Sequence, residues 1–181
     1  MAEFSVRDAQ PGDAGAILHV RTRTWQAAYA HILPREKLEA MSAEPWAERW
    51  TEWWRGVIED PAPGAHTLVV DDAGGVAGFA SLGSMSGEQD EPGRIGELYA
   101  IYVLPEASGR GIGQALMAEV LNRLRSEGFP EAILWVLEDN PRTRCFYELA
   151  GWQADGASKD EEWLGTLVRE IRYRIALDPA T

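Results

Sequence analysis

The stretch IGELYAIYVLPEASGRGIGQALMAEVLNRL, residues 95–124, decides the reading of this chain. Residues 95–104 are its most strand-like run, and Pro105 ends them. Helical spacing follows through Leu116, Val120, Leu121 and Leu124 to Gly128. Gly109, Gly111 and Gly113 lie between the two. Downstream, AILWVL at 132–137 reads as a buried strand. Strand, helix and strand in succession predict a parallel pair within a mixed α/β sheet.

Glycines let a backbone approach a ligand closely and adopt positive φ. A helix N-terminus adds unpaired N–H groups and partial positive charge. Together they suit a phosphate or pyrophosphate. The same glycines also suit a tight strand-to-helix turn with no ligand. Two phosphate motifs are excluded. A dinucleotide fingerprint starting at Gly109 or Gly111 needs Gly or Ala where Gln114 or Leu116 stands. A P-loop needs Gly-Lys-Ser/Thr after the turn, which is absent.

Working outward, FSVR at 4–7 alternates as a short strand. Asp13 stands as the N-cap of a helix through Ile17, Val20, Trp25 and Ala28. Beyond Pro34 a second helical stretch places Trp46, Trp50, Trp53 and Trp54 on one face. Such a stripe is more often core than pocket. HTLVVDDAGGVAGFASL at 66–82 reads as a hairpin, and 86–94 as a polar loop. Asn140-Pro141 opens a helix that stops at Gly151. Strands are expected around 152–158 and 165–176.

The chain has 181 residues, with 17 Lys plus Arg against 29 Asp plus Glu, a net charge of −12. This length suits one domain, 1–181, with a real core. The acidic balance argues against wrapping nucleic acid, which rewards Lys and Arg. No apolar run is long enough to span a bilayer, and no secretory signal is evident at the start. Cys145 is the sole cysteine, which excludes an internal disulfide and fits a reducing cytoplasm. A buried structural thiol is expected there. His19, His31 and His66 lack metal-ligand or triad spacing, so no metal is expected.

The glycine turn resembles the signature of the GNAT superfamily of acyl-CoA-dependent N-acyltransferases. Val103-Leu104-Pro105 matches the end of that family's central strand, and Ser108-Gly109-Arg110-Gly111-Ile112-Gly113 its phosphate turn, with Ser108 in place of Gln or Arg. The segment from Asn140 through Tyr147 to Gly151-Trp152 resembles the family's Asn-x6-Tyr-x3-Gly-Phe, with Trp for Phe. The resemblance implies a GNAT fold: a mixed, mostly antiparallel sheet of about seven strands, a splayed parallel pair in its middle, and about four flanking helices.

It also implies acetyl-CoA as cosubstrate and a small-molecule or peptide amine as acceptor. A cationic acceptor would suit the acidic chain, and a homodimer would be in keeping with the superfamily. Ile101 and Val103 would pair with the pantetheine arm. The N–H groups of Gly109, Arg110, Gly111, Ile112, Gly113 and Gln114 would hold the pyrophosphate beside Ser108, and the Arg110 side chain would add charge toward a phosphate, or else be a solvated surface arginine. Asn140 and Arg144 would face the cofactor, since Asn140, Arg144 and Tyr147 fall at i, i+4 and i+7. Tyr147 would be the general acid for the departing thiolate, or else a packed aromatic. Glu97 would be the base, or else a paired strand-edge carboxylate. Strict alternation puts Glu97, Tyr99, Ile101 and Val103 on one face. Two other readings stand beside catalysis: an acyl-CoA binding or sensing domain of the same fold, and an interaction module whose glycine turn is only structural.

Overall fold

The computed structural model describes residues 4–85 and 95–177. The expected loop at 86–94 lies outside them. Among the described residues seven strands form one sheet: β1 (Phe4–Asp8), β2 (His66–Asp72), β3 (Gly75–Ser84), β4 (Ile95–Val103), β5 (Glu131–Leu137), β6 (Gln153–Trp163) and β7 (Thr166–Ala176). Their order is β1-β2-β3-β4-β5-β7-β6. Only β4 and β5 are parallel; every other neighbouring pair is antiparallel.

Among the described residues there are five α-helices, one more than the sequence suggests: α1 (Ala14–Ala28), α2 (Arg35–Ala40), α3 (Trp46–Glu59), α4 (Ile112–Ser126) and α5 (Pro141–Leu149). The second helical stretch is divided because Pro45 has no N–H to continue the ladder, so α3 starts after it. Asp13 sits just before α1 but does not cap it with its side chain. Its carboxylate accepts instead from Arg7, at 2.7 and 3.0 Å, and from the Gln10 N–H at 2.7 Å.

Alternation sends the apolar strand residues to two faces. On one face Leu68, Val70, Ala80, Leu98 and Leu134 pack against Leu116, Val120 and Leu124 of α4. On the other, Val69 and Phe79 pack against Ile17 and Val20 of α1 and Trp54 of α3. Trp25, Tyr29, Leu38 and Met41 close that face over Leu137 and Val168. The sheet is thus covered on both sides, with α4 crossing between the parallel strands as their geometry requires.

Leu116 is completely buried and fixes α4 on the sheet. Leu116→Ala is expected to destabilise the protein by about 2–5 kcal/mol, through lost burial plus a residual cavity. A lower urea midpoint with an unchanged slope is the corresponding result.

Candidate active site

The β4–β5 ladder runs only through Ile95↔Glu131, Gly96↔Ala132 and Glu97↔Ile133. Both strands continue, to Val103 and Leu137, without further pairing between them. They part there, and their facing backbone groups border a cleft of about 1040 Å³. Unpaired strand edges seek hydrogen-bonding partners, so such a cleft can take an extended amide-bearing chain.

The glycine turn closes one end of the cleft. Gly109 and Gly111 have φ of +80° and +86°, values that disfavour any side chain. A Cβ on either would meet nothing within 4 Å, so the turn is open rather than packed. Gly111 caps α4, and the first helical bond runs from the Ala115 N–H to the Gly111 carbonyl. The N–H groups of 112–114 precede it and have no partner within the helix. Ser108, Gly109, Gly111, Ile112, Gly113 and Gln114 line the cleft, as do Ile101, Val103, Asn140 and Tyr147.

Three expected site residues lie outside this lining. Arg110 leans away from it and pairs with Asp72 at 2.7 Å. Arg144 donates to the Tyr173 hydroxyl at 3.2 Å and to the Glu138 carbonyl at 3.2 Å, so its guanidinium serves β7 and the β5–α5 connection. Helical spacing fixed its angle on α5 but not the competing partners across the sheet. Glu97 is the third, and the reason is a β-bulge. The β3–β4 register passes from Ser81↔Ala100 to Leu82↔Leu98, leaving Tyr99 as an extra residue. Alternation therefore reverses there. Below the bulge Leu98 packs with the α4-side core; above it Ile101 and Val103 do. Glu97 belongs with Ile95 on the opposite face, not with Ile101 and Val103 as strict alternation predicts.

That opposite face carries a buried carboxylate which sequence inspection missed. Glu170 of β7 lines the cleft and is only 7% exposed. Burial raises its pKa, Lys159 at 3.4 Å opposes that, and the Glu161 and then the Glu97 charge add to the rise. Within the alternating run TLVREIRYR, residues 166–174, nothing local marks it. Around it stand Trp25, Tyr29 and Trp163, with ring centroids 4.9–5.6 Å apart. The Trp25 indole donates to the Tyr102 hydroxyl at 3.1 Å, and Thr24 donates to the Val103 carbonyl at 3.2 Å. These contacts tie α1 to the diverging end of β4.

On α5 the Asn140 Oδ1 caps the helix by accepting from the Thr143 N–H at 3.3 Å. Its amide NH₂ is a separate donor on a residue that lines the cleft. Tyr147 is buried, and its phenol is pushed above the ordinary value chiefly by desolvation, next by Tyr102. It therefore stays protonated at neutral pH and can donate. Cys145 is exposed, contrary to the expected burial, because the inward face of α5 is taken by Tyr147. The tryptophan stripe of α3 also departs from a core role: only Trp54 is buried, while Trp53 is 50% exposed. Trp50, Trp53 and Trp54 instead wall a second cavity beside the cleft.

Among the described residues no helix is long and apolar enough to cross a membrane. No three His, Cys, Asp or Glu side chains among them converge as a metal site.

A sequence profile described as the acetyltransferase (GNAT) family matches residues 24–152. An uncharacterised N-acetyltransferase, YuaI of Bacillus subtilis, is 34% identical over 169 residues, covering 92% of this chain and 90% of that protein. A mycothiol acetyltransferase of Streptomyces griseus is 33% identical over 154 residues; the match takes 82% of this chain and 42% of that longer protein. The structure of yncA from Salmonella typhimurium with acetyl-CoA has a TM-score of 0.71 at 19% identity, covering 99% of this chain and 97% of that one.

The open surroundings of Gly111 separate backbone strain from steric clash. Gly111→Ala is expected to lower stability by about 1–2 kcal/mol from φ alone. Urea unfolding measures it, and no loss would show that the turn does not hold this conformation in solution.

Proposed function

The chain belongs to the GNAT family of acetyltransferases, and on that premise we propose that it moves the acetyl group of acetyl-CoA directly onto a primary amine in a ternary complex. The observation that carries this is the early end of the β4–β5 ladder, with an open glycine turn at the mouth of the resulting cleft. The pantetheine amides would pair with the backbone near Ile101 and Val103. The N–H groups of 109–114 would receive the pyrophosphate, reinforced by the α4 dipole. The Asn140 amide NH₂ would serve the cofactor arm while its oxygen holds the cap.

The amine lone pair attacks the thioester carbonyl carbon, and a tetrahedral oxyanion forms. Backbone N–H groups near Val103 stabilise it. The C–S bond then breaks, the electron pair leaves on sulfur, and the Tyr147 O–H donates its proton to the thiolate. The proton lost by the attacking nitrogen goes to a carboxylate on the acceptor face. We place that role on Glu170, which reaches the cleft, with Glu97 behind it as a charge that raises the Glu170 pKa. A raised carboxylate pKa suits a base working near neutrality. The acceptor is a small-molecule or peptide amine.

Five outcomes test this reading. CoA should raise the melting temperature, because a ligand specific to the native state stabilises it. Acetyl-CoA with a broad amine panel should release thiol; tight CoA binding with no amine-dependent release would instead make this a binding domain. Tyr147→Phe should cut kcat by about a hundredfold with CoA affinity little changed. In the wild type, kcat/KM should fall as pH drops through the Glu170 pKa, because only the ionised carboxylate accepts a proton. Glu170→Gln should remove that limb and lower the plateau by about a hundredfold. If Glu97→Gln does this and Glu170→Gln does not, the base is Glu97.

A further inference from the structure

Arg21 of α1 stands on the wall between the cleft and the second cavity and lines both, together with Trp54, Tyr99 and Ala100. Its guanidinium carbon lies 4.6 Å from the Trp25 ring centroid and 5.2 Å from that of Trp50. Its Nη1 is shut from water and makes no hydrogen bond. Among the described residues no acidic side chain pairs with it; burial disfavours its charge, and Tyr102 and Tyr29 oppose that only in part. The Trp54 indole N–H is a second buried donor without a partner on the same wall. A half-buried guanidinium with one nitrogen cut off from water and no counter-ion is costly, since arginine does not shed its proton and two aromatic faces recover only part of its hydration. Native proteins rarely leave such donors unanswered, so this one calls for an explanation.

The second cavity has a volume of about 670 Å³. Trp50, Trp53, Val57, Ile58 and Ala65 give it an apolar lining. Other polar groups at its edge are already engaged: Asp8 by Arg123 at 3.0 Å, and His66 by Glu127 at 2.7 Å. Asp60 lies at the C-terminal end of α3. The space therefore offers an apolar bed and one cation with an unused N–H at the doorway to the cleft.

We propose that this cavity takes the body of the acceptor and that Arg21 pairs with a carboxylate on it, so that the acceptor is an apolar amino acid or a close analogue. The proposal rests on the transferase reading and names the substrate class of its acceptor side. A polyamine or aminoglycoside would bring cations against Arg21. A plain apolar amine would leave the guanidinium as it is. An amine with a neighbouring carboxylate satisfies Arg21 and leaves its nitrogen free for the cleft.

Titration calorimetry in the presence of CoA tests this without needing turnover. The probes are leucine, methionine and phenylalanine, each compared with the amine lacking its carboxylate. At least one amino acid should bind about tenfold or more tightly than its decarboxylated partner. Arg21→Met should abolish that preference while CoA affinity and the near-UV circular dichroism stay as in the wild type. Arg21→Lys should restore part of it. Equal or tighter binding of every decarboxylated amine, no binding of any amino acid, or a preference that survives Arg21→Met overturns the proposal. Thiol release with the same probes, spermidine and a short peptide separates the two levels. Release with spermidine or peptide but no amino acid leaves the transferase and removes this acceptor class. No release from any amine removes the transferase, while the calorimetry still decides the carboxylate site.

Discussion

Two parallel strands in the middle of the sheet share hydrogen bonds at three register positions and then go separate ways. Everything proposed for this protein depends on that separation. A full ladder would satisfy the inner edges of β4 and β5 and leave nothing to receive a ligand. The separation survives because each strand is held from its other side. β3 pairs with β4 as far as Val103, and β7 pairs with β5 as far as Leu137. From below, α4 packs its fully buried Leu116, Val120 and Leu124 against the sheet, which also fixes where its N-terminus points. The glycine turn is thus aimed by the core rather than by its own few contacts.

The two faces of the sheet divide the work. The α4 face supplies main-chain donors and a helix terminus, which suit phosphates and amides. The opposite face, under α1, α2 and α3, collects aromatic rings, two buried carboxylates and Arg21. Charges there are few and poorly hydrated, so each shifts its neighbours more than a surface charge would. A single cation can therefore stand at the doorway between the two cavities of a chain whose net charge is −12. Net charge governs encounter at long range, while the proposed recognition at the doorway would rest on one guanidinium.

Much of this architecture was legible in the sequence because it is local. Gly109, Gly111 and Gly113 between a strand run and a helical run announce the turn, and Asn140-Pro141 announces α5. The parallel pair follows from those segments, whereas the order of the strands across the sheet does not. What escaped was non-local. The bulge at Tyr99 leaves no mark in an alternating run, yet it moves Glu97 to the other face from Ile101. Arg144 has the right helical angle, but Tyr173 of a distant strand claims it. Glu170 is one acid among many until the sheet brings it to the cleft. The α3 tryptophans follow a core pattern, and only tertiary packing shows that three of them wall a cavity.

The central claim is that CoA enters between β4 and β5 with its pyrophosphate on the glycine turn. An amide proton–nitrogen NMR titration with CoA examines it residue by residue. The largest shifts should fall on the backbone N–H groups of 109–114, with a second set at 101–103. Saturable binding that leaves both sets in place while amides elsewhere move would contradict the account.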